Sequence, residues 1–568
     1  MKFSRINFIY FAIFLFGAII ISRLVFLQVI KGEFYRALAN GQQEIFQPIS
    51  GQRGEIFLYD KDKLVLAATN KGCQFCYVSP KMVSNKEGLV ESIAPILDIN
   101  EVEFLEKLKD NKDSLFLLVK RKISSEEADK IIELNLEGVF LEEERLRYYP
   151  YNDLASDVLG FVNKNAKGQY GIEGYWNDVL TGKEGWQKIA YGPFGRFLGG
   201  DSNGSIKGAD IVLTIDKNIQ TQAESLLKGF AVSFGYETAQ IIVLNPSSGR
   251  ILALVDYPNF NPNEYQSYAD EKDVEIFQNK AIQALYEPGS VFKAVTMASA
   301  LNEGKITPET TYIDKGYVKI RDKEISNYDN RIWGKRTMTE VLEKSINTGA
   351  VFAQSKMSND VFSDYLTRFG LFEKTNITLQ GETYSDNKEF KKGWDINFAT
   401  ASFGHGIEMT LLQMIRIYST IANKGTLVQP YIVEAIMENG DIEKTQEEDN
   451  SLQIILPQTA LDVTKMLVSV TENGYGKPAR IPGYYVAGKT GTSLISYSSM
   501  GINQSGYSDK TWQSFVGFTP AFNPEFVIIV KLDNPITRTA SESAIYIFQE
   551  LGKYILDYYQ IPPSREFD

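Results

Sequence analysis

An uncharged apolar run near the start of the chain sets the first limit on its fold. Residues 6–21 read INFIYFAIFLFGAIII, and apolar residues resume after Ser22 and Arg23 as far as Ile30. A helix needs about 20 apolar residues to cross the hydrocarbon core of a bilayer, and Arg23 could extend its charge to the interface. The run predicts a transmembrane helix over 6–30, with a buried helix or a cleaved signal peptide as alternatives.

Length and flanking charge favour the transmembrane reading. The run is longer than the usual apolar part of a signal peptide, and no small-x-small cleavage site follows it. Lys2 and Arg5 precede it, and basic residues before a first helix stay on the cytoplasmic side. We therefore expect a cytoplasmic tail over 1–5, an uncleaved anchor, and a single-pass protein of the cell membrane whose remaining residues lie outside the cytoplasm.

The rest of the chain has the composition of ordinary globular domains. Hydrophobic residues make up 43% and charged residues 23% of the 568 residues, a length that suggests two or more domains. The formal net charge of −12 argues against a nucleic-acid partner, because such partners need a basic surface.

The two cysteines and the single histidine give no metal site. A zinc site would need two more ligands near Cys73 and Cys76, and the only histidine is His405. The cysteines lie in a strand pattern, where residues three apart point to opposite faces, too far apart for a disulfide. We expect two unremarkable thiols, no metal and no cofactor.

A segment rich in glycine, serine and asparagine predicts a domain boundary. It reads GGDSNGSIKGAD and spans 199–210. Residues 31–205 before it alternate short apolar runs with helical stretches. Strand and helix patterns follow it to the end, from IVLTID at 211–216 to a closing helix pattern at 541–559. We expect an α/β (α+β) protein with one domain over 31–205 and a second over 206–568.

Three Ser-x-x-Lys pairs occur, and their surroundings separate them. Ser225 lies inside an amphipathic helix pattern, and Ser385 lies in a polar stretch with no helix to fix its lysine. Ser290 follows a Pro–Gly turn and begins an apolar helix, so its hydroxyl and Lys293 would share one face near unpaired backbone N–H groups. A plain helix N-cap is the alternative role of Ser290.

A serine nucleophile needs a base at neutral pH. A Ser–His–Asp arrangement with His405 is compatible with the residue count, but nothing in the sequence places His405 beside a serine. A lysine that is buried beside a second cation can be neutral and act as the base instead. Lys489, in the only Lys-Thr-Gly of the chain, could be the cation that Lys293 requires.

The Lys-Thr-Gly motif follows a strand pattern. On a strand, Thr490 and Thr492 share a face, and Gly491 would leave the strand edge open to a substrate backbone. Earlier in the same predicted domain, a loop could aim Ser345 and Asn347 the same way. Each short motif alone is also typical of a cap or turn, and Ser-x-Asn recurs at 385–387.

The order Ser-x-x-Lys, Ser-x-Asn, Lys-Thr-Gly is far more specific than any one motif. On these motifs the chain resembles the penicillin-recognising serine acyltransferases. Stretches such as NKAIQALYEPGSVFK, SFGHGIEMTLLQM and SFVGFTPAFNPEFV are similar to class B penicillin-binding proteins over nearly the whole chain, and the anchor and GYGKPARIPGYYVAGKTGT resemble the cell-division members most. An extra residue within 53–60 and RTASESAIYIF at 538–548 depart from the family pattern.

The resemblance implies a peptidoglycan D,D-transpeptidase that acts in septal cell-wall synthesis. Its fold would be an anchor helix, an elongated pedestal or dimerisation domain, and a transpeptidase domain whose antiparallel sheet is flanked by helices. It would crosslink stem peptides ending in D-Ala-D-Ala, β-lactams would inhibit it covalently, and a membrane-embedded glycan polymerase and divisome proteins would be its partners. An elongation-type transpeptidase, a D,D-carboxypeptidase and a β-lactam sensor or scaffold remain alternatives.

The resemblance also implies a role for each motif residue. Ser290 would be the nucleophile, Lys293 its base, and Ser345 a relay that carries the proton to the leaving amine. Asn347 would hold Lys293 and the donor peptide. The remaining residues would bind the terminal carboxylate or shape that subsite: Lys489, which also supplies positive charge, with Thr490, Gly491 and Thr492. The backbone N–H groups of Ser290 and Thr492 would form the oxyanion hole.

Overall fold

The structure is a computed structural model, and it describes residues 14–18, 20–21, 44–49, 52–182, 185–190, 202–203, 207–268, 274–438, 440–445 and 452–566. The strands are β1 (Glu44–Ile49), β2 (Ile56–Asp60), β3 (Lys63–Val78), β4 (Leu117–Ile123), β5 (Val139–Tyr148), β6 (Phe161–Val162), β7 (Gly168–Gln169), β8 (Gly185–Ala190), β9 (Ser202–Asn203), β10 (Asp210–Asp216), β11 (Thr238–Leu244), β12 (Ile251–Tyr257), β13 (Thr311–Asp314), β14 (Tyr317–Ile320), β15 (Lys323–Ser326), β16 (Gly334–Thr337), β17 (Thr426–Leu427), β18 (Val433–Glu438), β19 (Asp441–Lys444), β20 (Leu452–Gln453), β21 (Ala487–Ser496), β22 (Tyr507–Thr519) and β23 (Phe526–Asp533). The α-helices are α1 (Lys86–Leu97), α2 (Glu101–Asp110), α3 (Ser125–Leu134), α4 (Ser156–Leu159), α5 (Gly171–Tyr175), α6 (Asn177–Thr181), α7 (Lys217–Phe234), α8 (Lys280–Gln283), α9 (Lys293–Asn302), α10 (Met338–Glu343), α11 (Asn347–Ser355), α12 (Asn359–Arg368), α13 (Asp395–Ala401), α14 (Leu411–Ala422), α15 (Pro457–Asn473) and α16 (Ala544–Tyr558).

The predicted anchor and tail fall mostly outside the described residues. Of the 6–30 run, only 14–18 and 20–21 are described, and they are helical. Within the part of the chain that the structure describes, no helix has both the length and the apolar character needed to cross a membrane. The transmembrane helix and the orientation of the chain therefore stay predictions.

One unit of the chain comprises residues 1–54, 70–148 and 181–208. In this unit the second half of β3 pairs with β4 and β5. The buried faces of α1, α2 and α3 and buried residues of these strands form one hydrophobic core. Each helix begins at a side-chain cap, which is Asn85, Asn100 and Ser124 in turn, so the polar residue before each apolar pattern sets where the helix starts.

The two cysteines lie on β3, on the strand that their pattern predicts. Both are free thiols. Cys76 is fully buried in the core of this unit, and burial raises the pKa of its thiol to about 12. Because the thiolate is the reactive form, Cys76 is an inert packing residue at neutral pH.

The other unit comprises residues 55–69, 149–180 and 209–568. Its five-stranded sheet has the order β12–β11–β23–β22–β21, and every neighbouring pair is antiparallel. Alternate residues of the central strand β23 enter two different cores, Ile528 and Val530 on one face and Val527 and Ile529 on the other. Helices α7 and α16 cover the first face and α14 the second. This confirms the predicted sheet flanked by helices.

A second sheet in this unit brings distant segments together. Strands β19, β18, β10, β2 and the first half of β3 lie side by side, with β10 and β2 parallel and the other pairs antiparallel. Segments 55–69 and 149–180, which the sequence pattern assigned to the 31–205 domain, therefore belong to the second unit. For 55–69 the reason is the parallel pairing of β2 with β10, which no local pattern reveals.

Candidate active site

Ser290 lies in a tight turn that runs directly into a buried helix. The turn is a 3-10 helix over Gly289–Phe292, and α9 begins at the next residue. Tyr418 donates its hydroxyl hydrogen to the carbonyl of Val291 over 2.8 Å, and the N–H of Gly289 donates to the carbonyl of Gly404 over 3.0 Å. These bonds fix the turn, and the half-buried Ser290 lines a cavity.

Two fully buried lysines converge on one hydroxyl. The Nζ of Lys293 lies 3.3 Å, and the Nζ of Lys489 3.0 Å, from the Oγ of Ser345. Lys293 also donates to the carbonyl of Ser345 over 2.6 Å and to the Oδ1 of Asn347 over 2.8 Å. Three motifs that are far apart in the sequence therefore form one hydrogen-bonded cluster.

Burial lowers the pKa of both lysines, so each loses its proton more easily than an exposed lysine does. Burial first, and the charge of Lys489 second, hold the pKa of Lys293 well below its ordinary value. Burial lowers the pKa of Lys489 to about 7. The sequence predicted that burial and a second cation together would make Lys293 neutral, and in the structure the loss of solvation is the larger of these two causes. A neutral Lys293 can accept a proton at physiological pH.

Ser345 owes its position to an unusual backbone conformation. It lies between α10 and α11 with a φ of 54°, in the left-handed region. Asn347 begins α11, and its Nδ2 donates to the carbonyl of Ser326 over 3.1 Å. The structure therefore shows the contact of Asn347 with Lys293, and the expected contact of Asn347 with a donor peptide stays a prediction.

The Lys-Thr-Gly motif lies on β21, at the edge of the five-stranded sheet. Thr490 and Thr492 line the same cavity as Ser290. A Cβ atom on Gly491 would lie 2.9 Å from the carbonyl oxygen of Pro288 and 2.6 Å from the Oγ of Ser514. Glycine is thus needed for β21 to pack against the turn that carries the serine, a reason beyond the open strand edge that the sequence suggested.

The cavity that contains Ser290 has a volume of about 260 Å³. The motif residues Ser345, Thr490 and Thr492 form part of its wall. Further wall residues come from loops without a recognisable motif, and they include Tyr328, Arg331, Lys344, Tyr475 and Arg538. Sequence reasoning missed these side chains, because only the folded chain brings their loops together.

The other Ser-x-x-Lys and Ser-x-Asn motifs have structural roles or none. Ser225 and Lys228 are exposed on α7. Asn387 accepts from the N–H of Glu408 over 2.7 Å and donates to its carbonyl over 2.9 Å, which ties two loop segments together. Neither pair lies with the two buried lysines.

His405 does not have the surroundings of a catalytic triad. Burial, followed by the charge of Lys293, lowers the pKa of His405 to about 4. Among the described residues, its buried Nδ1 has no hydrogen-bond partner, whereas a triad requires a carboxylate there. The lysine cluster is therefore the better candidate for the base.

Replacing Gly404 with alanine should disturb the serine turn. Gly404 has a φ of 81°, and a Cβ atom there would lie 2.6 Å from the backbone nitrogen of Gly289. We expect the acylation rate to fall about tenfold, because Ser290 would be displaced. Gly304→Ala is the matched control, since Gly304 has a φ of 63° but open space around it; it should lose only about 1 kcal/mol of unfolding free energy. Equal acylation rates of both variants with a penicillin would refute this role of Gly404.

Comparison with known proteins gives a consistent result. Residues 239–553 match the family model of the penicillin binding protein transpeptidase domain, and residues 48–213 match that of the penicillin-binding protein dimerisation domain. Stage V sporulation protein D of Bacillus subtilis (strain 168) is 31% identical over 537 residues, covering 92% of this chain and 81% of that protein. Peptidoglycan D,D-transpeptidase FtsI of Buchnera aphidicola subsp. Schizaphis graminum is 31% identical over 566 residues, covering 97% and 94%.

A solved structure shares the fold. Penicillin binding protein 3 from Mycobacterium tuberculosis, complexed with aztreonam, aligns with a TM-score of 0.69 at 22% sequence identity. The alignment covers 92% of this chain and 99% of that chain.

Proposed function

This chain belongs to the class B penicillin-binding proteins, and on this premise we propose that it is a serine peptidoglycan D,D-transpeptidase of septal cell-wall synthesis. The observation that carries the proposal is the hydrogen-bonded cluster of Lys293, Ser345 and Lys489, whose Ser345 lines the same cavity as the half-buried Ser290. Ser290 and Ser345 line the cavity, and the two fully buried lysines contact Ser345, so the site holds a nucleophile, a neutral amine and a positive charge, which is what acyl transfer through a serine ester needs.

In the first step Ser290 forms an ester with the donor stem peptide. Its Oγ attacks the carbonyl carbon between the two terminal D-alanines, and Lys293 takes the hydroxyl proton. Among the described residues there is no hydrogen bond between Ser290 and Lys293; such bonds commonly form only in the substrate complex. Lys293 then passes the proton through the hydroxyl of Ser345 to the leaving nitrogen, a route that the 3.3 Å contact supports. The C–N bond breaks and D-alanine leaves.

In the second step an acceptor amine replaces the serine. The amine of a neighbouring stem peptide attacks the ester carbonyl, loses a proton to the same base, and displaces the Oγ of Ser290, which takes that proton back. In the first step the hydroxyls of Thr490 and Thr492 bind the terminal carboxylate of the donor, the charge of the buried Lys489 attracts it, and it departs with the released D-alanine. This carboxylate subsite explains why the enzyme selects a chain end.

The experiment that tests this function separates transfer from hydrolysis. Purified protein is given a D-Ala-D-Ala stem peptide together with a D-amino acid as acceptor, and both products are measured. A transpeptidase forms the exchanged peptide at a rate that rises with acceptor concentration. Release of D-alanine with water as the sole acceptor would instead identify a D,D-carboxypeptidase.

The acylation rate should depend on pH through the two lysines. Below its lowered pKa, Lys293 is protonated and cannot act as a base, so the rate rises as the pH passes that value. Lys489, with a pKa of about 7, loses its charge as the pH rises further, so the rate falls on the alkaline side. We expect a bell-shaped profile of the second-order acylation constant, with its falling limb near pH 7. A rate that keeps rising from about pH 6 to about pH 9 would contradict the assigned charges.

The proposed place of action is the outer face of the cell membrane at the division site. The sequence supports it through the apolar run over 6–30, the basic residues before it, and the resemblance to cell-division members. A fluorescent fusion should concentrate at the septum. An even distribution along the side wall would favour the elongation role.

A separate membrane-embedded glycan polymerase is the proposed partner, because strands must be polymerised where they are crosslinked. Gly17 and Ala18 in the apolar run would allow close helix packing. Exchange of residues 6–30 for an unrelated transmembrane helix should reduce co-purification of the polymerase. Unchanged co-purification would show that the run is only an anchor.

A further inference from the structure

One wall of the active-site cavity is basic and aromatic, and the mechanism above does not use it. Arg331, Lys344 and Arg538 line this wall with Tyr328 and Tyr475, in the same cavity as Ser290. We refer to Arg331 and Arg538, with Tyr328 between them, as the arginine wall. Its guanidinium carbons lie 6.0 Å and 5.6 Å from the centre of the Tyr328 ring.

The two guanidinium groups share one carboxylate. The Nη2 of Arg538 donates to both oxygens of Asp329, over 2.9 and 3.1 Å, and the Nη2 of Arg331 lies 3.4 Å from the same carboxylate. The Nη1 of Arg331 donates to the hydroxyl of Tyr475 over 2.7 Å. Asp329 has a φ of 52°, so this contact is made by a backbone in the left-handed region.

Stability alone is a weak reason for this cluster. The side chains of Arg538, Arg331 and Asp329 are 68%, 45% and 34% exposed, and ion pairs at such exposure contribute little to stability. This wall carries three cationic side chains, those of Arg331, Arg538 and Lys344. They face two carboxylates, those of Asp329 and Glu542. One positive charge therefore remains, within the cavity that a substrate must enter.

The remaining charge suits a second carboxylate of the substrate. The terminal carboxylate of the donor is assigned to Thr490 and Thr492, so a further anion bound at the arginine wall has to come from another part of the stem peptide. A stem peptide can carry further carboxylates before its terminal alanines, and these can be free or amidated. A guanidinium fork matches a free carboxylate in shape and charge, whereas an amide offers it a weaker acceptor.

We propose that Arg331 and Arg538 form a second anion site that binds a free carboxylate preceding D-Ala-D-Ala in the donor stem peptide. The enzyme then prefers donors whose carboxylate is free to donors in which it is amidated. This inference rests on the proposed transpeptidase function, because it assumes that the donor occupies the cavity with its end at Ser290.

Two penicillins test the site, because they differ in a single group. Carbenicillin is benzylpenicillin with an added carboxylate on the side chain, at the position that mimics the stem peptide before D-Ala-D-Ala. The measured quantity is the second-order rate constant for acylation of Ser290 by each compound. The ratio of the two rate constants removes any loss of reactivity that affects both compounds equally. We expect Arg331→Gln and Arg538→Gln each to lower the carbenicillin-to-benzylpenicillin ratio about fivefold to tenfold.

Matched variants separate this site from charge in general. Arg321 is 74% exposed and pairs with Asp395 away from the cavity, so Arg321→Gln should leave the ratio as in the unmodified protein. Ratios within about twofold of the unmodified protein in both Gln variants would overturn the inference while Ser290 acylation upholds the proposed function. If neither penicillin acylates Ser290 of the unmodified protein, the proposed function fails, and the anion site fails with it.

Discussion

Replacing Lys293 with arginine is expected to stop acylation of Ser290 almost as completely as replacing it with alanine. Lys293 is fully buried, and its lowered pKa leaves a neutral amine that can take a proton. A guanidinium stays protonated at any accessible pH, so arginine keeps a charge where the mechanism needs a base. Loss of a general base lowers the rate about 10²- to 10⁴-fold.

The measurement is the second-order rate constant for labelling by benzylpenicillin. Lys305→Arg is the matched control, because Lys305 is exposed shortly after α9 and should label at the normal rate. Thermal unfolding of each variant reports whether the protein has folded. A folded Lys293→Arg protein with a near-normal rate would show that Lys293 acts only through its charge.

Replacing Lys489 with methionine is expected to lower the rate of acylation about 10²- to 10³-fold, an effect as large as the loss of one oxyanion-hole donor, because it removes the positive charge beside Ser345. Its Nζ donates to the Oγ of Ser345 and to the carbonyl of Thr490, both over 3.0 Å. The charge of Lys489 also lowers the pKa of Lys293, so its removal should move the rising limb of the pH profile to higher pH.

Lys489→Arg should be the milder change, because arginine keeps the positive charge, although the larger side chain must fit a fully buried site. The comparison needs full pH profiles of both variants. A methionine variant whose rising limb stays where it is in the unmodified protein would show that Lys489 does not tune Lys293. An arginine variant that is as inactive as the methionine variant would show that shape matters more than charge.

Local patterns predicted the elements of the second unit well. The strand β10 and the closing helix α16 fall where the patterns at 211–216 and 541–559 placed them. These elements bury a large apolar face, and the same burial produces the apolar pattern in the sequence, which is why the pattern predicts them. The domain bounds 31–205 and 206–568 stay a prediction: the dimerisation-domain match covers 48–213, whereas the contacts of β2 with β10 group 55–69 with the second unit.

The sequence predicted that the three motifs come together, but it did not predict the contacts that hold them together. The convergence of Lys293 and Lys489 on Ser345 agrees with the expected cluster. That burial outweighs the neighbouring charge at Lys293, and that Gly491 packs against the serine turn, depend on the folded surroundings. The same holds for the arginine wall, whose two arginines lie outside the three motifs, although Arg538 begins the stretch 538–548 that departs from the family pattern.

Mass spectrometry after exposure to a penicillin tests the central claim most directly. Intact protein is treated with benzylpenicillin, weighed, digested and mapped. The account predicts a single adduct on the peptide that contains Ser290, and no adduct in the Ser290→Ala protein, because Ser290 is the one of the three Ser-x-x-Lys serines that lines the cavity and whose lysine belongs to the buried cluster. An adduct mapped to Ser225 or Ser385, or labelling that survives Ser290→Ala, would contradict it.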